Sequence, residues 1–221
     1  NTCLLVHWFR SSWRAFPKPG SINEMIERNP IDRAALIVNA KQVADKLRPF
    51  ESEHEKRRAL HPDAVQILRD SDLFKVIQPQ RIGGFEAGIP ALHAVGKELT
   101  YGCAASGWVY MVTAAHTWML GMYADSAQDE LSASDPDTIL PGSLASSGKA
   151  DLVAGGFRIN GRWQFGSGCD YGKWVLVGAT QSNSTREDPK HVHALVPEGD
   201  FEIDDTWHTL GLRGTGSKDI I

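Results

Sequence analysis

At 221 residues, 42% of them hydrophobic and 23% charged, the chain is long enough to bury one sizeable core or two small ones. A net charge of −4 leaves no electrostatic footprint for nucleic acid, and no apolar run reaches the roughly 18 residues that would cross a membrane as a helix. The three cysteines, Cys3, Cys103 and Cys169, lie far apart with no paired spacing, which fits reduced thiols in a cytoplasmic compartment better than a disulfide framework.

Residues 1–20 hold Arg10, Arg14 and Lys18 with no acid before Glu24, but their apolar stretch is cut short by His7, so we expect a disordered or non-native leader. Ser21 and Glu24 fit a capping box that opens a short helix. From Ile31 to about Leu60 the pattern is helical: Leu36, Ala40, Val43, Leu47 and Phe50 recur at spacings of three and four. Pro49 should kink or split that helix. His61-Pro62-Asp63 restarts a helix whose Ala64, Val65 and Leu68 face inward. Arg81 to Gly84 reads as a loop, and Pro90 to about Thr100 as another helix. Ala104–Tyr123 is apolar nearly all round, the signature of a buried helix. His116 is its one ionisable side chain in the middle, eight residues after Trp108, a spacing that puts the two on one face.

After Thr138 the chain turns to short β-like runs: Thr138–Leu144, Ala150–Val153, Phe157–Ile159, Trp163–Ser167, Trp174–Thr180, His191–Val196 and Phe201–Trp207. Helices first and strands second predict an α+β chain: a helical domain over 21–135 and a β domain over 136–221. The sequence opens on Asn1 and stops at Asp219-Ile220-Ile221, inside what reads as a strand, so we expect a fragment lacking C-terminal sequence.

Several places could carry chemistry. Asn160-Gly161 is a strong hairpin signal, after which Trp163, Phe165 and Ser167 alternate onto one strand face. Two large aromatics followed by a hydroxyl between Gly166 and Gly168 could receive a flat heteroaromatic ring edge-on, as a flavin site requires. Ser167 is then either a donor to a ring nitrogen or an ordinary turn serine. His116 is either a functional base or a satisfied core histidine, since a buried imidazole needs partners. Gly142 to Gly148 is a small-residue loop that lines a ligand or merely connects strands; it lacks the closing Lys-Ser/Thr of a P-loop. Leu210 to Lys218 packs three glycines around Arg213, Thr215 and Ser217, a close ligand approach or a tight turn, and not a dinucleotide fingerprint. His191 and His193 share a strand face, but no third ligand at metal spacing accompanies them, so no metal is expected.

Taken in order, these segments resemble the acyl-CoA dehydrogenase superfamily, most closely its flavin-dependent monooxygenases, the oxygenase components of two-component aromatic hydroxylases. The resemblance runs over about residues 31–221. It rests on helical Leu60–Leu73 with Gln78-Pro79-Gln80-Arg81-Ile82-Gly83-Gly84, and on Ser106-Gly107-Trp108-Val109-Tyr110 with His116 and Trp118. It rests also on the run from Asn160 to Asp170 and on Leu210 to Ser217. The resemblance implies a helical N-terminal domain, a middle β-barrel-like domain and a C-terminal four-helix bundle, the last missing here. It implies homotetramers, a reductase partner supplying reduced FMN or FAD, O2 and a small phenolic substrate hydroxylated through a flavin C4a-hydroperoxide. By the same resemblance Ser167 donates toward flavin N5, Trp108 walls the ring, and Phe165 and Gly168 complete the cofactor site. His116 holds or deprotonates the substrate hydroxyl, Ser143 bonds cofactor and substrate, and Arg213 and Thr215 lie on the substrate side. The rivals are a same-fold S- or N-oxygenase, an acyl-CoA-type dehydrogenase, and a fragment that binds ligand or partner without turnover.

Overall fold

The protein is described by a computed structural model over residues 32–154 and 156–221; the expected leader and the Ser21–Glu24 cap lie outside those residues. Among the described residues six α-helices form the N-terminal half: α1 (Arg33–Leu47), α2 (Glu51–Arg57), α3 (Pro62–Arg69), α4 (Ile89–Gly102), α5 (Ala104–Met119) and α6 (Asp125–Ser134). Each start has a local cause. The Asp32 carboxylate accepts from the Ala34 N–H and caps α1. The His61 ring accepts from the Asp63 N–H, and Pro62 occupies the first position of α3. Pro49 ends α1 in a 3-10 turn, Arg48–Phe50, so the long predicted helix is split at the proline. Leu36, Ala40, Val43 and Leu47 are buried against Leu92, Val95 and Leu99 of α4, the stripe that the spacing predicts.

Seven strands follow among the described residues, in two sheets. The first has the order β2-β1-β4-β5, built from β1 (Gly142–Val153), β2 (Gly156–Asn160), β4 (Trp174–Gln181) and β5 (His191–Pro197). The second has the order β3-β7-β6, from β3 (Trp163–Gly166), β6 (Ile203–Asp204) and β7 (Lys218–Ile220). Strands β1 and β4 run parallel and every other pair is antiparallel. The sheets enclose one apolar cluster with Phe157, Trp163, Val175, Val177, Val196 and Ile220 at its centre. The opposite face of β4, Trp174 and Leu176, packs with Leu120, Tyr123 and Leu131 of the helical layer. Strand β4 is therefore apolar at consecutive positions because it is covered on both faces.

The structure departs from the sequence reading at five places. Gly142–Gly148 is not a loop: it is the first half of β1, which runs on to Val153 with a register shift between Ser143 and Gly148. Its two glycines are set by close approach: a Cβ on Gly148 would sit 2.4 Å from the Trp163 indole, and one on Gly142 would run into the Leu176 carbonyl. Asn160-Gly161 closes no hairpin. Strand β2 pairs with β1 and β3 with β7, so the turn carries the chain from one sheet to the other. Helix α6 was not anticipated, and of the expected strand 201–207 only Ile203–Asp204 is paired. Helix α5 is not covered all round, for Trp108 and Trp118 are each 48% exposed. Among the described residues no helix is long and apolar enough to cross a membrane.

Candidate active site

The site lies where the first turns of α5 meet the turn after β3. Strand β3 ends abnormally. Phe165 has a φ of 64°, the left-handed region that costs a bulky residue about 1–2 kcal/mol. That twist breaks the expected alternation: Trp163 is buried, its indole N–H donating to the Gly178 carbonyl at 2.6 Å, while Phe165 is 65% exposed. Phe165 meets Trp207 edge-on at 6.1 Å between ring centroids. Ser167 then turns inward and is 6% exposed. Gly168 follows at a φ of 75°, and a Cβ there would stand 2.8 Å from Val109 on α5. Only glycine lets this turn close against the helix.

The closure brings together residues 59 apart in sequence: the Trp108 indole N–H donates to Ser167 Oγ at 3.1 Å. Ser167 Oγ is also 2.7 Å from Ser217 Oγ, which is 2.8 Å from Thr215 Oγ1. Thr215 donates to the Leu212 carbonyl at 2.9 Å. Each hydroxyl has one proton, so the direction of the chain turns on where Thr215 sends its own. With the Thr215 proton on the Leu212 carbonyl, which only accepts, one polarity follows. Ser217 must then donate to Thr215, and Ser167 to Ser217. Ser167 is left with one lone pair and no proton toward the open side of the site. With that polarity Ser167 would meet a ring nitrogen as an acceptor, where the resemblance has it donating.

His116 sits two turns further along α5, about 12 Å along the helix axis from Trp108. It is buried, whereas Trp108 is half exposed, because eight residues advance about 80° beyond two full turns and do not keep one face. Its Nδ1 lies 2.9 Å from the Leu140 carbonyl, which only accepts, so Nδ1 carries the proton and Nε2 keeps its lone pair in the neutral ring. Burial pushes the imidazole below its usual pKa, against a smaller upward pull from that carbonyl. Ser143, three residues beyond Leu140 on β1, is half-buried and its hydroxyl has no protein partner among the described residues.

Arg213 and Thr215 do not present their polar groups as expected. Arg213 Nε donates to the Glu55 carbonyl at 3.1 Å, and the Gly214 N–H to the Glu55 carboxylate at 3.0 Å, so this turn is tied to α2. Thr215 is 1% exposed and its proton is used internally. Sequence reasoning named Ser217 in its glycine-rich turn without giving it a role, and passed over Trp207. The signal was present for the first, since Thr215 and Ser217 stand two apart around a glycine. Trp207 carried none.

The residues fit a flat ring. Half-exposed Trp108 stands against the buried Ser167 hydroxyl, and Phe165, two residues before that hydroxyl, exposes its ring beside Trp207. A cavity of about 320 Å3 opens elsewhere, between the sheets, lined by Trp163, Val175, Val177, Phe201 and Ile220; Ser167, Trp108 and His116 take no part in it. His191 and His193 lie on β5, and no group of three or more metal-ligating side chains gathers among the described residues.

Residues 34–131 match the family profile described as acyl-CoA dehydrogenase, N-terminal domain. The chain is 31% identical over 175 residues to the flavin-dependent monooxygenase, oxygenase subunit HsaA, of Rhodococcus jostii (strain RHA1), covering 79% of this chain and 46% of that one. It is 33% identical over 186 residues to the FADH(2)-dependent resorcinol hydroxylase, oxygenase component, of Rhizobium sp. (strain MTP-10005), covering 84% and 46%. Among solved structures, the HsaA monooxygenase from M. tuberculosis superposes with a TM-score of 0.81 at 30% identity, over 86% of this chain and 50% of that one. XiaF from Streptomyces sp., solved with FADH2 and glycerol, gives 0.81 at 26% identity, over 90% and 50%. The chain spans about half the length of the relatives it matches.

Proposed function

The chain belongs to the acyl-CoA dehydrogenase superfamily, and from that premise we propose that it serves as the oxygenase component of a two-component aromatic hydroxylase, acting on a phenolic substrate with reduced FMN or FAD from a separate reductase. The observation that carries this reading is the meeting of Trp108 and Ser167 at 3.1 Å, a flat aromatic wall beside a buried acceptor, made by two elements far apart in sequence. Bound there, the reduced flavin would supply the electrons and the site of oxygen activation that no side chain provides.

The protein's own part is holding, shielding and proton handling. Trp108 and Phe165 would flank the ring system, and Ser167 would accept from its edge N–H. His116 lies two turns beyond Trp108 on α5, and we assign it to the substrate and not to the flavin. Its neutral Nε2 accepts a proton, and a phenolic hydroxyl placed there becomes a stronger nucleophile on losing one. Ser143 would orient the same hydroxyl. A dehydrogenase or a non-catalytic binder would leave this fixed, neutral base without a task.

The test supplies photoreduced FMN or FAD, air and a panel of phenols to the chain, and measures hydroxylated product and hydrogen peroxide together. Product from wild type, with His116→Asn lowering product at least tenfold and Ser167→Ala diverting oxygen to peroxide, supports the proposal. No product from any phenol with either flavin would refute it, and unchanged coupling in Ser167→Ala would refute the role of that residue.

A further inference from the structure

Resting on the flavin reading of this site, we propose that Thr215 and Ser217, which need not touch the cofactor, make the site selective for the reduced state of a flavin by holding Ser167 as a pure acceptor. Reduced flavin carries a hydrogen on its central ring nitrogen, and oxidised flavin carries a bare lone pair there. An oxygen that can only accept welcomes the first and repels the second.

The selectivity is set at a distance. The Leu212 carbonyl is the fixed end of the chain. It accepts from the Thr215 hydroxyl, from the Trp207 indole N–H at 3.0 Å and from the Thr215 N–H at 3.2 Å. Leu212 itself is held at a φ of 54°, and the turn beyond it is tied to Glu55 of α2. The three hydroxyls at 167, 215 and 217 are buried, so solvent does not exchange freely with their partners. The other neighbour of Ser167, the Trp108 indole, only donates; it takes one Ser167 lone pair and cannot receive the Ser167 proton, which leaves Ser217 as the protein acceptor for it. If Thr215 loses its hydroxyl, nothing holds the Ser217 proton. Ser217 can then donate to Ser167, and the Ser167 proton is released toward the ligand. Thr215 and Ser217 are thus positioning residues that act through Ser167.

The experiment measures anaerobic equilibrium binding of oxidised and photoreduced FMN and FAD to the full chain, wild type, Thr215→Val, Thr215→Ser and Ser217→Ala. Thr215→Val keeps the shape, and the Leu212 carbonyl keeps its other two donors. The expected result is tighter binding of reduced than oxidised flavin by wild type, with the ratio falling at least tenfold in Thr215→Val and Ser217→Ala and restored in Thr215→Ser. An unchanged ratio in both hydroxyl-deleted variants, with binding retained, overturns the polarity argument and leaves the flavin reading standing. Absence of binding of either redox state to wild type overturns the flavin reading and this inference with it.

Discussion

Acid should unfasten the turn that anchors the hydroxyl chain, through His54. This histidine of α2 is fully buried and stacks on Phe50, their rings 6.0 Å apart and inclined by 7°. Its Nδ1 is 3.3 Å from Cys103 Sγ, and its Nε2 has no partner. Burial, and then the nearby His61, push its pKa down from 6.5 to about 4. Above pH 6.5 neither the folded nor the unfolded chain holds the extra proton. Between 6.5 and 4 the unfolded chain takes it and the folded chain refuses it, so stability falls as pH falls through that window. The loss is about 2 kcal/mol at pH 5 and about 3 kcal/mol at pH 4, relative to pH 8. Urea unfolding followed by tryptophan fluorescence, on wild type and His54→Asn at each pH, isolates this contribution. His116 and the carboxylates titrate in both proteins and cancel in the difference. The wild-type advantage should shrink by about 2 kcal/mol between pH 8 and pH 5. Parallel curves for the two proteins would refute the reasoning, because they would mean the buried imidazole takes its proton at no cost.

Gly168→Ala forces a side chain into a φ of 75° and into Val109. It should cost about 2–3 kcal/mol in denaturant unfolding and weaken flavin binding, since the same closure brings Ser167 to Trp108. Trp163→Phe removes the donor to the Gly178 carbonyl between the two sheets and should cost about 1–3 kcal/mol by the same measurement. Asp205→Asn weakens the two-pronged pair in which Arg58 donates to both carboxylate oxygens at 2.7 and 2.6 Å. Limited proteolysis within residues 203–212 should quicken in that variant, and high salt should quicken it in wild type and leave the variant unchanged.

The helical half was legible because its signals are local. Periodicity located Leu36 to Leu47, and the prolines at 49 and 62 marked a break and a start. The β half was legible where strands alternate or run apolar, as at 174–181, and illegible where a distant residue dictates the local chemistry. Glycine and serine at 142–148 mean loop by composition, yet the stretch is a strand whose Gly148 lies under Trp163 and whose Gly142 lies against the Leu176 backbone. The left-handed Phe165 defeats any period-two reading of its neighbours. At the site, Trp108, Ser167 and His116 were visible as residues, and the resemblance supplied roles for them. The direction of the Ser167 hydrogen bond was not visible. It depends on Leu212, Thr215 and Ser217, some fifty residues downstream, and follows only from counting protons along contacts.

Because β4 is shared by two cores, Val175 and Val177 on one side and Trp174 and Leu176 on the other, the interiors of the two layers are joined by a third cluster that neither layer completes alone. Loss of the sheets would strip Leu120, Tyr123 and Leu131 of their cover, and loss of the helices would bare the outer surface of the central strand. The two halves should therefore melt in a single cooperative transition by calorimetry and by fluorescence alike. A polypeptide cut near residue 135 should yield two pieces that aggregate when produced apart and recover structure only when mixed.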